Sequence, residues 1–408
     1  MAIESYTVSQ GGVILRDVRL SDGRTLRTPM GSTPRRRCEV LDQWADRAFL
    51  MSTSRLDGTA SLRRVRAFDL FCGCGGLSLG LVEACRAIGR SLQIAGAVDL
   101  DATALDIYGV NIPGAVTIRA DATRLIDGRY TSRLTASERT LKRRTRGIDF
   151  LLAGPPCQGF SALNNHTRGD DPKNILYGLV ARAAQVMEPE HILIENVASV
   201  GSYSPSAVAR AVDRLMASNY TVHEAVVPLV GLGIPQLRRR HVIVATVGRE
   251  APPQEVLGAF RRAPRNVRWA IGDLTGIRPK RAFDRPSLTS PENEKRMTYL
   301  RERDLWDLPN HMRPDCHRAG DHTYKSMYGR LWWDRPAQTI TSGYGSMGQG
   351  RYVHPDGRRT LTPHEAARLQ FFPDWFDFGE RSRSAWATSI GNAVPMKLSY
   401  VFGVWLLR

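Results

Sequence analysis

Lysine, cysteine and long apolar runs are all scarce in this sequence. Its 408 residues include six cysteines, Cys38, Cys72, Cys74, Cys85, Cys157 and Cys316, which form no paired framework; a disulfide-stapled secreted scaffold is excluded. Cys72 and Cys74 have no second Cys or His pair at a zinc-like distance, which argues against metal binding. No uninterrupted apolar stretch is long enough to span a bilayer, and the first residues lack the apolar core of a signal peptide. The expectation is a reducing, cytoplasmic protein with no membrane partner. No internal repeat is present. Of the 57 basic residues only six are lysine, so 51 are arginine, and the net charge is +17. That surplus suggests a polyanionic partner, and arginine suits bidentate contacts to phosphate and guanine, although a GC-rich genome produces the same bias.

What is present centres on Gly154-Pro155-Pro156-Cys157-Gln158-Gly159-Phe160-Ser161, a loop that follows the strand-like run Ile148 to Ala153. Two prolines bar helix and stiffen the backbone ahead of the thiol, which is how a nucleophile is displayed. A second apolar run, His191 to Ile194, ends in Glu195-Asn196-Val197, with a helical pattern from about Asn174 to Met187 between the two. Strand, crossover helix and strand form a right-handed βαβ unit, so Cys157 and Glu195 face one crevice at the same edge of a parallel sheet. The long connection from Gly159 to Lys173 has the length of a lid or binding loop.

Upstream, Ala67 to Phe71 reads as a buried strand running into Cys72-Gly73-Cys74-Gly75-Gly76 and a helix from Leu77 to about Ile88. Such a turn lets a ligand approach backbone beside a helix N-terminus. The next strand, Gln93 to Val98, ends in Asp99, placed to accept from ribose hydroxyls, and Val116 to Ile118 leads to Asp121, placed to receive an adenine amino group. A helix N-cap is the alternative reading of either aspartate. Three such features at successive strand ends point to an adenosine-bearing cofactor. Against NAD, the glycines read Gly-x-Gly-Gly and no diphosphate cradle is evident.

Residues 1–65 are arginine-rich, with an amphipathic helix through Leu41, Trp44, Ala45 and Phe49, and read as a packing extension, the alternatives being a phosphate contact or a dimerisation segment. Tyr130 to Arg146 reads as a solvated connection. Tyr220 to Val230 and His241 to Val247 flank Gly233-Ile234-Pro235-Gln236-Leu237-Arg238-Arg239-Arg240 and suggest a hairpin-like return at the sheet edge, with Arg238 and Arg240 on one face and Arg239 on the other. Periodicity fails from Gly248 to Asp334, a loop-rich window, and returns at Arg335-Pro336, a helical pattern at Thr362 to Gln370, and Gly391-Asn392-Ala393-Val394-Pro395 leading into an apolar terminal helix.

Taken in order, the segments Asp69 to Gly76, Gly154 to Ser161, Glu195 to Val197, Gln236 to Arg240 and Gly391 to Pro395 resemble the motifs of the bacterial DNA (cytosine-5)-methyltransferases, over roughly Phe68 to the C-terminus. The resemblance implies an α/β class I methyltransferase fold: a Rossmann-like, mostly parallel sheet with helices on both faces, plus a small loop-rich target-recognition domain. Residues 66–247 and 335–408 would form the catalytic domain, 248–334 the recognition domain, and 1–65 an extension with no family counterpart. S-adenosylmethionine would be the cofactor, leaving as S-adenosylhomocysteine, with no metal. By motif position Phe71 would stack on adenine, Gly73, Gly75 and Gly76 would make the close turn, and Asp99 and Asp121 would hold ribose and adenine. Leu176 and Asn392 also match cofactor-side positions. Cys157 would attack C6 of a flipped-out cytosine, Glu195 would protonate N3, and Arg240, with Arg238 in support, would orient the base. Leu100 and Ala122 depart from the family pattern. The implied partner is double-stranded DNA, bound by a monomer with or without accessory proteins; the expected setting is restriction-modification or another anti-phage system, with an orphan methyltransferase as the alternative. The Cys-Phe-Thr signature of the tRNA-modifying branch is absent from the recognition region.

Overall fold

The computed structural model describes residues 3–32, 40–55, 63–156, 176–203, 205–318 and 326–408. Cys157 and the Gly159 to Lys173 connection lie outside the described residues. The chain begins with an antiparallel meander that the sequence reading does not anticipate, β1 (Glu4–Val8), β2 (Val13–Arg19) and β3 (Thr25–Ser32). Its inner row on β2 is Ile14, Arg16 and Val18, so a buried arginine interrupts the apolar alternation. That guanidinium bonds Glu83 Oε1 at 2.8 Å and the Tyr400 hydroxyl at 3.2 Å, while Glu4 pairs with Arg262 at 2.5 Å. The expected amphipathic helix spans Leu41–Leu50, buries Ala45, Phe49 and Leu50, and pairs its Asp46 with Lys397. The N-terminal segment is thus fastened to the first and last helices of the main body by buried ion pairs.

The main sheet contains β4 (Arg64–Leu70), β5 (Ser91–Asp99), β6 (Thr117–Arg119), β7 (Phe150–Ala153), β8 (His191–Val197), β9 (Thr221–Pro228) and β10 (Arg239–Thr246), in the order β6-β5-β4-β7-β8-β10-β9. Every pairing from β6 to β8 is parallel, and β10 runs antiparallel to both neighbours. The sheet is therefore mostly parallel, as expected. The hairpin expected at its edge differs in one respect: β10 inserts between β8 and β9, so the arginine-bearing strand is interior and β9 forms the edge. Because both faces are covered, the central strands are apolar on both. Ala67, Phe150, Leu152 and Leu193 join one core with the helices Gly76–Ala87 and Lys397–Leu407; Phe68, Leu151, Ile192 and Ile194 join the other with Leu176–Met187 and Pro205–Ala217.

Two regions expected to lack regular structure have it. Between Tyr130 and Arg146 a helix spans Ala136–Arg144, begun by a capping box of Thr135 and Glu138, and the buried Glu138 carboxylate holds Arg182 at 2.7 Å. Only Leu141 supplies an apolar contact from its inner face, too little to show as a periodic stripe. In the window from Gly248 a polar twelve-residue helix spans Pro291–Glu302. Val256, Phe260, Val267 and Ile271 join the main core, whereas Met297, Leu300, Leu308, Tyr328, Met347 and Val353 form a small core of their own.

The C-terminal segment returns to the first helix at backbone contact distance. A Cβ on Gly76 would lie 2.2 Å from the Val394 carbonyl oxygen, and one on Gly80 would lie 2.0 Å from that of Met396. Gly76→Ala is expected to cost about 1–3 kcal/mol through overpacking against rigid backbone, read as a lowered denaturation midpoint; an unchanged midpoint would show that the two segments separate easily.

Candidate active site

Parallel register places the ends of β7 and β8 side by side, Ala153 opposite Ile194, so the residues just beyond them share the C-terminal edge of the sheet. Gly154 donates its N–H to the Leu70 carbonyl at 3.1 Å, and a Cβ built on it would stand 3.6 Å from the Phe71 carbonyl oxygen and 3.9 Å from Glu195 Oε2. The glycine-rich turn, the start of the Pro-Pro-Cys elbow and the glutamate therefore converge. Asn196 donates from Nδ2 to the Pro155 carbonyl at 3.2 Å and holds that elbow against β8.

Glu195 is 6 % exposed. The antiparallel register of β10 on β8 sets Val242 opposite Glu195 and Arg240 opposite Val197, a diagonal that brings Arg240 Nε to 2.5 Å from Glu195 Oε1. Burial pushes the Glu195 carboxyl above the ordinary glutamate range, against the opposing pull of the Arg240 and Arg238 guanidiniums. A buried carboxyl so placed is suited to carry a proton to a base nitrogen.

Arg238 and Arg240 are buried and Arg239 is exposed, the facing expected from sequence. Their contacts differ. Arg240 Nη1 donates to its neighbour's carbonyl at 2.8 Å, leaving its Nε side on Glu195. Arg238 gives its terminal nitrogens to the Ile340 carbonyl at 2.8 Å and the Ala393 carbonyl at 3.0 Å, so it clamps the loop that presents Asn392.

The residues expected on the cofactor side lie along the adjoining strand ends. Phe71 adopts φ +57°, a left-handed conformation costly for an aromatic residue, and is followed by Gly73 at +52° and Gly75 at +94°. A Cβ at Gly75 would stand 2.9 Å from the Tyr108 ring, whereas one at Gly73 would meet nothing within 4 Å. The turn thus opens onto space at Gly73 and is packed from below at Gly75. Gly76 serves the contact with Val394. Asp99 accepts from the Gly73 N–H on Oδ2 and from the Asp101 N–H on Oδ1, each at 2.9 Å. Asp121 is the N-cap of the turn Ala122–Leu125, Oδ1 receiving Thr123 N–H at 2.9 Å and its hydroxyl at 2.7 Å. Leu176 opens the helix that crosses from β7 to β8, half-buried, and Asn392 closes Arg383–Asn392, exposed. Leu100, beside Asp99, is 65 % exposed. An open glycine, acceptors at two strand ends and an exposed apolar side chain fit an adenosine moiety.

Polar residues that the sequence reading assigned no role hold this edge together. Asp69 lies beneath the turn, takes the Ser78 hydroxyl at 2.6 Å, and is pushed up to about 7 by burial. Gln236, fully buried, donates to the Leu369 carbonyl at 2.8 Å and accepts the Ile340 N–H at 3.1 Å. Their signal in the sequence is an amide or carboxylate beside apolar residues. Cys72, Cys74 and Cys85 are buried and free, and burial pushes Cys74 and Cys85 up to about 12, so neither thiol is a nucleophile at neutral pH.

The profile of the C-5 cytosine-specific DNA methylases matches residues 65–403. The chain is 40% identical to the type II methyltransferase M1.BsuMI of Bacillus subtilis, over 100% of this chain and 95% of that one. It is 29% identical to the type II methylase M.HgiDII of Herpetosiphon aurantiacus, over 82% and 92%. Among solved structures, a DNA modification methyltransferase encoded within an E. coli prophage superposes with a TM-score of 0.61 at 23% identity, covering 84% of this chain and 98% of that one. The Dnmt2 methyltransferase of S. pombe superposes with a TM-score of 0.55 at 19% identity, covering 85% and 99%. The last two likenesses speak to the class I fold.

Proposed function

The chain belongs to the C-5 cytosine-specific DNA methylase family, and from that premise we propose that Cys157, Glu195 and Arg240 are its catalytic centre. The observation that carries this reading is the buried Glu195, 2.5 Å from Arg240 and beside the glycine that leads into the Cys157 elbow. The enzyme methylates cytosine C5 in DNA. S-adenosylmethionine supplies the electrophilic methyl group, and Phe71, Gly73, Asp99, Asp121, Leu176 and Asn392 would hold it.

Cytosine C5 is a poor nucleophile until C6 is attacked. The Cys157 thiolate adds to C6, Glu195 delivers a proton to N3 as charge develops on the ring, and C5 becomes enamine-like and able to take the methyl group. Loss of the C5 proton then returns the electron pair that expels Cys157 and restores the ring. Arg240 orients the base. Arg238 acts from behind, by fixing the 391–393 loop. The target must leave the duplex for these groups to reach it.

Residues 66–247 and most of 335–408 would form the catalytic domain, joined by the part of 248–334 up to Ile271 that packs into the main core, and the remainder of 248–334, with its small core shared with Met347 and Val353, would read sequence in the major groove. The type II relatives favour a protective mark in a restriction-modification system. The protein would work as a metal-free cytoplasmic monomer.

The experiment is tritiated methyl transfer into duplex DNA and into tRNA. Incorporation into duplex DNA alone is expected; incorporation into tRNA alone would overturn the substrate. Asp99→Ala should weaken S-adenosylmethionine binding by about 10–100-fold, the worth of lost bonds to a charged group, with a modestly lowered thermal midpoint because the Gly73 and Asp101 N–H groups lose their acceptor. Unchanged affinity would remove Asp99 from the cofactor site.

A further inference from the structure

The opposite edge of the main sheet carries a basic face that the reaction does not use. Arg64 opens β4, Arg90 immediately precedes β5, and Arg143, Arg144 and Arg146 close the helix and turn ahead of β7. These segments adjoin one another. Ser91 donates its N–H to the Arg63 carbonyl, and Arg66 reaches the Arg144 carbonyl at 3.2 Å and that of Arg146.

A first explanation is that the arginines answer the negative ends of the helices Ala136–Arg144 and Lys397–Leu407, whose last carbonyls lie near this edge. Two arginines already do so: Arg66 on the carbonyls of residues 144 and 146, and Arg249 on those of Leu406 and Arg408 at 2.7 and 2.9 Å. The rest are surplus. Among the described residues no carboxylate lies within ion-pair distance of Arg64, Arg90, Arg143, Arg144 or Arg146, and all but Arg90 are exposed, Arg90 being half-exposed.

β4 runs from this face to the glycine-rich turn, about 20 Å along the strand. A duplex with its cytosine beside Glu195 lies beyond the other end of the sheet. It cannot also touch Arg64.

We propose that this arginine face binds the phosphates of a second duplex segment, so that the enzyme holds DNA at two places at once. The inference rests on the site assignment above for where the first duplex lies. Its contacts would be sequence-independent and salt-sensitive.

The test uses the full chain and two short duplexes, one immobilised and containing the methylated site, the other fluorescent and lacking it. Wild type should retain the fluorescent duplex on the immobilised one. The Arg64→Glu/Arg143→Glu/Arg146→Glu variant should lose about tenfold or more of that capture, and its non-specific salt slope should fall by about 2–3, while methylation of a single short duplex is unchanged. The same three positions changed to Gln should give an intermediate loss and guard against misfolding. Capture that is equal in wild type and both variants would overturn the proposal. So would retention of a polyglutamate peptide in place of the duplex, which would make the face a dock for an acidic protein. Loss of short-duplex methylation in wild type would instead indict the assigned active site.

Discussion

Cys157→Ala is expected to abolish methyl transfer while leaving S-adenosylmethionine and DNA binding in place. Among the described residues, the thiols of the neighbouring glycine-rich turn, Cys72 and Cys74, are buried and shifted upward, so neither replaces Cys157. A duplex carrying 5-fluorocytosine at the target provides the positive counterpart. With fluorine in place of the C5 proton, elimination cannot follow methyl transfer, and wild type should remain covalently attached through Cys157. The variant should form no adduct. Residual turnover by Cys157→Ala would mean that the nucleophile lies elsewhere.

Glu195→Gln should lower kcat by about 10²–10⁴, the range of a positioned general acid, with a small change in the affinity for S-adenosylmethionine. The amide fills the same volume but has no acidic proton to give to N3. Burial raises the Glu195 carboxyl, and the protonated form is the active one. Wild-type kcat should therefore fall as pH rises through that raised value, and this falling limb should be absent in Glu195→Gln. An unaltered pH profile in the variant would assign the limb to another group and reduce Glu195 to a partner that orients Arg240.

How much of this was legible in the sequence depends on where the physical signal lies. Gly154, at the start of the Cys157 elbow, and Glu195 could be placed at one sheet edge because apolar runs, a helical pattern between them and the handedness of βαβ units act over short stretches of chain. The glycine turn and Asp99 were legible for the same reason: each follows its own strand. The Glu195–Arg240 contact was not, since it depends on β10 inserting antiparallel beside β8, a pairing between residues 45 positions apart whose register no local pattern sets. Arg238 was visible as an inward-facing arginine, but the carbonyls it holds, at Ile340 and Ala393, come from a distant part of the chain. The N-terminal meander was hidden by Arg16, whose burial becomes tolerable only once Glu83 and Tyr400 arrive from elsewhere. The helix Ala136–Arg144 was hidden by its polarity, its inner face being held by the Glu138–Arg182 pair more than by apolar contact.

The most direct test of the central claim is base-resolution bisulfite sequencing of plasmid DNA after incubation with S-adenosylmethionine and either wild type or Cys157→Ala. The account predicts protected cytosines confined to one short sequence with wild type and none with the variant. Protection by both proteins, or by neither, would contradict it.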